Sequence, residues 1–291
     1  MKTCTSFCVY SSLRQRWNFF PSSLSTPALG EIYSMKNSRS HFFASRSHQR
    51  LIRTAVTNIE SLTSRQREQI HLYLNALLLW NQKMNLTAIT DAGQAMERHV
   101  EDSLAILAPI QDSYTAHCSS SIDDISLVDI GTGAGLPGLI LAIARPDWKV
   151  TLAESMIKRC TFLDYAVSVT GLSNVEVIRA RAEELGQRSS HRETFDVAVA
   201  RAVAEMRTLA EYCLPLVRVG GLFVAAKGHD PQDEVIRAER SIKLMGASLL
   251  PLCIVESVGP FGQRTAVVCV KSRHTPKRYP RSPGTPTKSP L

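Results

Sequence analysis

From residue 125 onward, short apolar runs alternate with amphipathic ones. The runs at 127–130, 149–153, 175–179, 197–200 and 222–226 are four to five residues long and largely apolar, as strands covered on both faces are. Between them, 137–144, 155–169, 204–217 and 232–245 repeat apolar positions at helical spacing. This alternation predicts an α/β fold: a Rossmann-like, doubly wound, mostly parallel sheet. The runs at 249–255 and 265–271 are separated only by a stretch rich in Gly and Pro. That predicts a hairpin, and so an antiparallel last strand. Upstream, Ile70, Tyr73, Leu74, Leu77 and Leu78 predict a helix over 63–82, with Thr63 and Gln66 as a capping box. A second helix is expected over 92–107, ending before Pro109. The polar stretch 111–124 reads as a boundary. The expected organisation is a targeting or disordered segment at 1–53, a small helical N-terminal region at 54–124, the main domain at 125–271, and a disordered basic tail at 272–291.

Composition changes this picture only at the ends. The chain has 291 residues and a formal net charge of +8. The basicity is not in the body: residues 51–270 hold 21 basic and 25 acidic residues. A nucleic-acid site must therefore be a local patch. No run approaches the roughly 18 apolar residues of a membrane span. Residues 1–50 contain 11 Ser, seven basic residues and one acid, Glu31. Hydroxylated, Arg-containing and acid-poor is the composition of an organelle transit peptide, plastid before mitochondrion. Residues 272–291 carry five prolines and no acid, which predicts disorder. The seven cysteines are scattered without a CxxC pair, which argues for a reducing compartment and against structural zinc. Cys160, Cys213, Cys253 and Cys269 read as core thiols.

The chemistry gathers at VDIGTGAGLPG, from Val128 to Gly138, between the first strand and its helix. Glycines allow a tight turn and close approach of a ligand, and the helix start offers free N–H groups. Such a loop lies at the carboxyl end of a parallel strand, where nucleotides bind. Gly133, Gly135 and Gly138 fit GxGxxG, and Glu154 comes about 20 residues later, so NAD is one reading. Three features favour S-adenosylmethionine. Asp129 precedes the first Gly, where a carboxylate can hold a cationic amine and would repel a pyrophosphate. Ala182 and Glu183 come after the third strand, placed to border an adenine. The antiparallel last strand is usual for methyltransferase sheets. Glu154 suits either reading, since it can accept from both ribose hydroxyls.

The loop resembles that of the RsmG (GidB) family, guanine-N7 methyltransferases of bacterial small-subunit ribosomal RNA. The resemblance extends to WNQKMNLT from Trp80 to Thr87, RHVEDS from Arg98 to Ser103, and to Lys158–Arg159, Ala200-Arg201-Ala202 and Lys227-Gly228, over about residues 60–271. It departs at both ends, and at Glu154, where the family often has Asp. It implies that Gly131 and Leu136 line the cofactor, that Ala182 and Glu183 meet its adenine end, and that Arg201 lies in the binding site. Arg201 then ends strand four, where it can contact the methionine carboxylate or an RNA phosphate. Lys158, Arg159, Lys227 and His99 are RNA-contact candidates, with solvated or structural roles as alternatives. The resemblance also implies a small-subunit ribosomal RNA or an assembling particle as partner, and the expected protein is an organellar monomer that engages no membrane.

No acid–base residue is required. Guanine N7 carries a free lone pair, so positioning supplies the acceleration. Arg201 and Lys227 are the candidates closest to a catalytic role. His99 and Asp102 share one helix face and read as structural or RNA-orienting. Trp80 reads as a core anchor, and Asn81, Asn85 and Thr87 as backbone caps at the helix exit. The alternatives to a methyltransferase are an NAD-dependent oxidoreductase and a ribosome-assembly factor that keeps the fold without turnover.

Overall fold

The computed structural model describes residues 52–53, 59–118, 120–201, 203–255 and 264–291. The expected targeting segment lies, but for Ile52 and Arg53, outside the described residues.

The strands are β1 (Ser126–Ile130), β2 (Lys149–Glu154), β3 (Val175–Arg179), β4 (Phe195–Arg201), β5 (Val217–Lys227), β6 (Cys253–Val255) and β7 (Arg264–Lys271). They form one sheet in the order β6-β7-β5-β4-β1-β2-β3, with Ile52–Arg53 beside β6 and Ala247–Leu249 beside β7. The central ladders are parallel. β7 runs antiparallel to β5 and β6, as the short connection before it predicts. β1 has β2 on one side and β4 on the other, so the winding reverses there and a crevice opens at the strands' carboxyl ends.

The helices that cover the sheet are α1 (Ser64–Met84), α2 (Leu107–His117), α3 (Gly138–Ala144), α4 (Ile157–Thr170), α5 (Met206–Cys213) and α6 (Gln232–Leu244). Alternate strand residues serve two cores. Leu127, Leu152, Val197, Val199 and Val224 face Ile70, Leu77, Ile110, Leu139 and Phe162. Val128, Ile130, Ala198, Phe223 and Val267 face Leu209, Cys213, Val235 and Ile242. Cys160, Cys213, Cys253 and Cys269 are buried free thiols. No helix among the described residues is long and apolar enough to cross a membrane.

Four expectations need correction. The stretch 111–124 is no packing boundary: α2 runs to His117, and Ile110 and Tyr114 belong to the same core as Leu127. Pro109 sits in the first turn of α2, where a missing N–H costs nothing. The helix expected over 92–107 is broken by a π-helical turn, Met96–Glu101. The helix expected over 204–217 stops at Cys213, and Val217 already begins β5. Segment 272–291 is packed, with Tyr279 and Pro286 buried.

The N-terminal helix is joined to the rest by hydrogen bonds as well as by area. Thr63 and Gln66 form the expected capping box. The Gln66 amide also donates to the Ile143 and Ala144 carbonyls, capping α3 at 2.9 and 3.1 Å. Gln69 donates to Thr170 O at the end of α4, 2.9 Å. The Tyr73 hydroxyl donates to Ala134 O of the glycine loop, 2.8 Å. The loop is thus braced from outside the α/β unit.

Gly138 opens α3 hard against β1 and β2. A Cβ there would come within 2.5 Å of Leu152 Cδ2 and 2.8 Å of Asp129 Cβ. Gly138→Ala should therefore destabilise the fold by about 2 kcal/mol through overpacking, read as a lower urea midpoint. An unchanged midpoint would mean that β1 and α3 are free to move apart.

Candidate active site

Two cavities open along the carboxyl edge of the sheet. The first, about 180 Å³, lies at the ends of β1, β2 and β3; Gly131, Glu154, Arg181, Ala182 and Glu183 are among its walls. The second, about 440 Å³, lies at the ends of β4 and β5 and the start of β7; Thr87, Arg98, His99, Arg201, Lys227 and Arg264 are among its walls. That is the size of a small-molecule site.

The glycine loop is organised by Asp129. Its Oδ2 accepts from Thr132 Oγ1 at 2.6 Å and from the Gly138 N–H at 2.8 Å. Its Oδ1 is buried and has no partner. Burial pushes the carboxyl up to about 6, against the pull of those two hydrogen bonds. An orphan carboxylate oxygen beside a glycine loop is a poor structural choice and a good receptor for a cationic group. Glu154 is buried at the end of β2. One oxygen accepts from the Met156 N–H at 2.8 Å, and the other from Gly133 N–H at 3.2 Å, with Arg159 Nη1 at 3.5 Å. The loop turns through the left-handed region at Gly131, φ +66°.

The predicted residues do not all converge. Gly131, Glu154, Ala182 and Glu183 share the first cavity. Leu136 does not line it; its side chain is buried in the apolar core. Gly133 and Gly135 shape the loop, and Gly135 and Leu136 donate back to Thr132 O. Arg159 is turned to Glu154, whereas Lys158 is exposed at the helix start. Lys227 is corrected as a phosphate contact: its ammonium is held by Glu234 Oε1 at 2.6 Å and Ala204 O at 3.0 Å. It shapes the second cavity as a fixed wall.

Arg201 is not a surface ion pair. Its guanidinium is partly buried on the wall of the second cavity and donates long hydrogen bonds, both 3.4 Å, to Arg98 O and Ser103 Oγ. Burial lowers its pKa, while Tyr73, Asp102 and Asp129 act in the other direction. Asp102 pairs with Arg264 at 3.0 Å. Trp80 packs against Phe162 and Tyr165, as an anchor should. Asn81 bonds both ways with Thr87 backbone, and Asn85 caps α1 in the left-handed region.

His99 bonds Thr87 Oγ1 through Nε2 at 2.8 Å, and its Nδ1 is buried without a partner. Burial and then the Arg201 charge push the imidazole down to about 4. The ring is neutral at pH 7, which excludes it as a cationic phosphate contact there. Its titration also bears on stability. Between pH 6.5 and 4 the unfolded chain binds the proton that the folded chain refuses, so stability falls as pH drops through that window. Discounted for partial exposure, the loss is about 2 kcal/mol. Urea midpoints at about pH 7 and about pH 4.5 should fall further for the wild-type protein than for His99→Gln; equal falls would remove the ring from the account.

Sequence reasoning missed Val203, Tyr212, Gly284 and Thr287, which also line the first cavity and which only the fold brings there. No cluster of His, Cys, Asp or Glu able to hold a metal ion occurs among the described residues.

A family model described as GidB, rRNA small subunit methyltransferase G, matches residues 66–258. A protein of Brevibacillus brevis named ribosomal RNA small subunit methyltransferase G is 41% identical over 232 residues, 79% of this chain and 93% of its own length. Its namesake in Moorella thermoacetica is 42% identical over 79% of this chain and 92% of its own length. That of Roseiflexus castenholzii is 44% identical over 83% of this chain and 98% of its own length.

Proposed function

The chain belongs to the GidB family of small-subunit ribosomal RNA methyltransferases, and from that premise we propose that it transfers a methyl group from S-adenosylmethionine to N7 of a guanine in organellar small-subunit ribosomal RNA. One observation carries the reading: two neighbouring cavities of opposite charge on one sheet edge. The first presents Glu154 and Glu183 against a single Arg181. The second presents Arg98, Arg201 and Arg264 against a single Asp102, with the Lys227 charge already met by Glu234. S-Adenosylmethionine has a net positive charge and ribose hydroxyls that carboxylates can accept from, so its nucleoside end suits the acidic cavity. RNA is an anion and suits the basic one. A dinucleotide pyrophosphate beside Glu154 and Asp129 would be repelled, which disfavours the NAD reading.

The residues fit the cofactor. Glu154 offers an acceptor for ribose hydroxyls on the wall of the first cavity and Arg201 a fork for a carboxylate on the wall of the second; Asp129, fully buried and lining neither, shapes the loop between them and keeps one oxygen unpaired toward a cation. When bound, the cofactor supplies a methyl group already activated by its sulfonium. The protein's task is then placement. Guanine N7 attacks with its own lone pair, so no residue has to remove a proton first. Neutral His99 and the fixed Lys227 shape the base cavity, and Arg201 stands at the end of β4, lining the basic cavity beside the acidic one. In-line displacement between two held partners gains from orientation above all. The target base must leave its stack to enter such a cavity, so the substrate is an open or partly assembled particle.

The composition of residues 1–50 supports import into plastids, where the protein would act as a monomer. The test is mass spectrometry of nucleosides from small-subunit ribosomal RNA, with and without this protein. N7-methylguanosine should disappear from plastid RNA and return with the wild-type chain. Loss from mitochondrial RNA instead would move the compartment; no loss in either would overturn the activity.

A further inference from the structure

Segment 272–291 lies on the face of the sheet covered by α5 and α6. Its carbonyls are satisfied from the body. Arg192 donates to Tyr279 O at 2.7 Å and Thr275 O at 2.9 Å, and Gln187 donates to Pro280 O at 2.7 Å. Arg281 answers Glu211, a carboxylate buried on α5, with its backbone N–H at 2.8 Å and Nη2 at 2.6 Å. Gly186 leaves room for the segment: a Cβ there would lie 2.9 Å from Pro280 Cγ. Residues 275–281 are therefore an anchor, and they deliver residues 282–291 to a fixed place.

That place is the acidic cavity. The Gly284 N–H donates to Glu183 Oε1 at 2.9 Å. Thr287 Oγ1 lies 2.9 Å from the Tyr212 hydroxyl, and Tyr212 shares the cavity wall with Glu183; burial and then the Glu183 charge raise the phenol's pKa. Gly284 and Thr287 both line the cavity. Pro286, between them, is buried, and its carbonyl accepts from Thr208 Oγ1 at 3.2 Å. Gly284 has φ +81° and open space around its Cβ position, so glycine serves the backbone conformation there and not clearance.

We propose that segment 272–291 is a built part of the cofactor site: residues 284–287 wall its adenine end and hold Glu183 and Tyr212 in binding geometry. The proposal rests on the cofactor reading above and extends it beyond residues 66–258, the span of the family match. Its logic is preorganisation. A carboxylate and a phenol ordered before binding need not be ordered by it.

The test is calorimetric titration with two probes, S-adenosylhomocysteine and methylthioadenosine, which share the adenosine and differ in the amino-acid end. The variants are a chain ending at Pro283, which keeps the Arg281–Glu211 pair, and Thr287→Val. The shortened chain should bind both probes about tenfold more weakly, and by the same factor. Thr287→Val should lose about threefold for both, the effect of one hydrogen bond. It keeps the test open should the shortened chain not fold. Unchanged affinity overturns the proposal. Tighter binding overturns it too, since the segment would then be a plug. A loss confined to S-adenosylhomocysteine overturns it by placing the effect at the other end. If the full chain binds neither probe, the cofactor reading itself fails.

Discussion

Gly131→Asp is expected to leave a folded protein that has lost at least about 100-fold in methylation of small-subunit ribosomal RNA. Gly131 holds φ +66°, and a Cβ there would come within 2.9 Å of Val203 Cγ2. Asp is among the residues that best tolerate the left-handed region, so the backbone cost stays near about 1 kcal/mol. The side chain would press on Val203, with which Gly131 walls the acidic cavity. Its charge would attract a sulfonium, so a loss of binding must come from filled space. Titration with S-adenosylhomocysteine separates the two effects. Weaker binding supports the placement of the cofactor against Gly131. Equal or tighter binding would put the cofactor elsewhere.

Arg201→Met is expected to cost about 10- to 100-fold in affinity for S-adenosylhomocysteine, the worth of a charge-assisted hydrogen bond to its carboxylate. Methylthioadenosine lacks that carboxylate and should bind as before. Stability should change little, because the guanidinium faces a cavity and makes only two long hydrogen bonds, both 3.4 Å, with Asp102 and Asp129 acting on it from further off. Arg201→Lys should not restore affinity, since a point charge cannot reproduce the guanidinium fork. A parallel loss for both ligands would instead assign Arg201 to the architecture of β4, and with it to RNA binding in the basic cavity.

Much of the fold was legible because its signals are local. Alternating periods marked the strands; β3 matches its run at 175–179 residue for residue. Thr63 and Gln66 announced α1, and the glycines marked the loop that Asp129 ties down. What escaped depends on partners far along the chain. Five prolines and no acid in 272–291 spell disorder, yet Arg281 finds Glu211 at a separation of 70 residues and Arg192 finds Tyr279 O at 87. Composition counts residue types and is blind to such partners. Lys271 makes the same point: it ends an apolar strand and is fully buried, with Leu214 O, Thr275 Oγ1 and Glu193 around its ammonium. Lys227 was misread for a nearer reason. Its partner Glu234 lies seven residues on, across the turn into α6, where no helical spacing links them.

The sheet order has a consequence for how the chain is made. Among the described strands β7 comes last in sequence, yet it lies inside the sheet, between β5 and β6. While residues 264–271 are still unsynthesised, β5 presents an open edge of unpaired backbone groups along Leu222–Lys227. The nascent chain is therefore most prone to sticking between the emergence of β5 and that of β7, and a chaperone that guards it would be needed in that window.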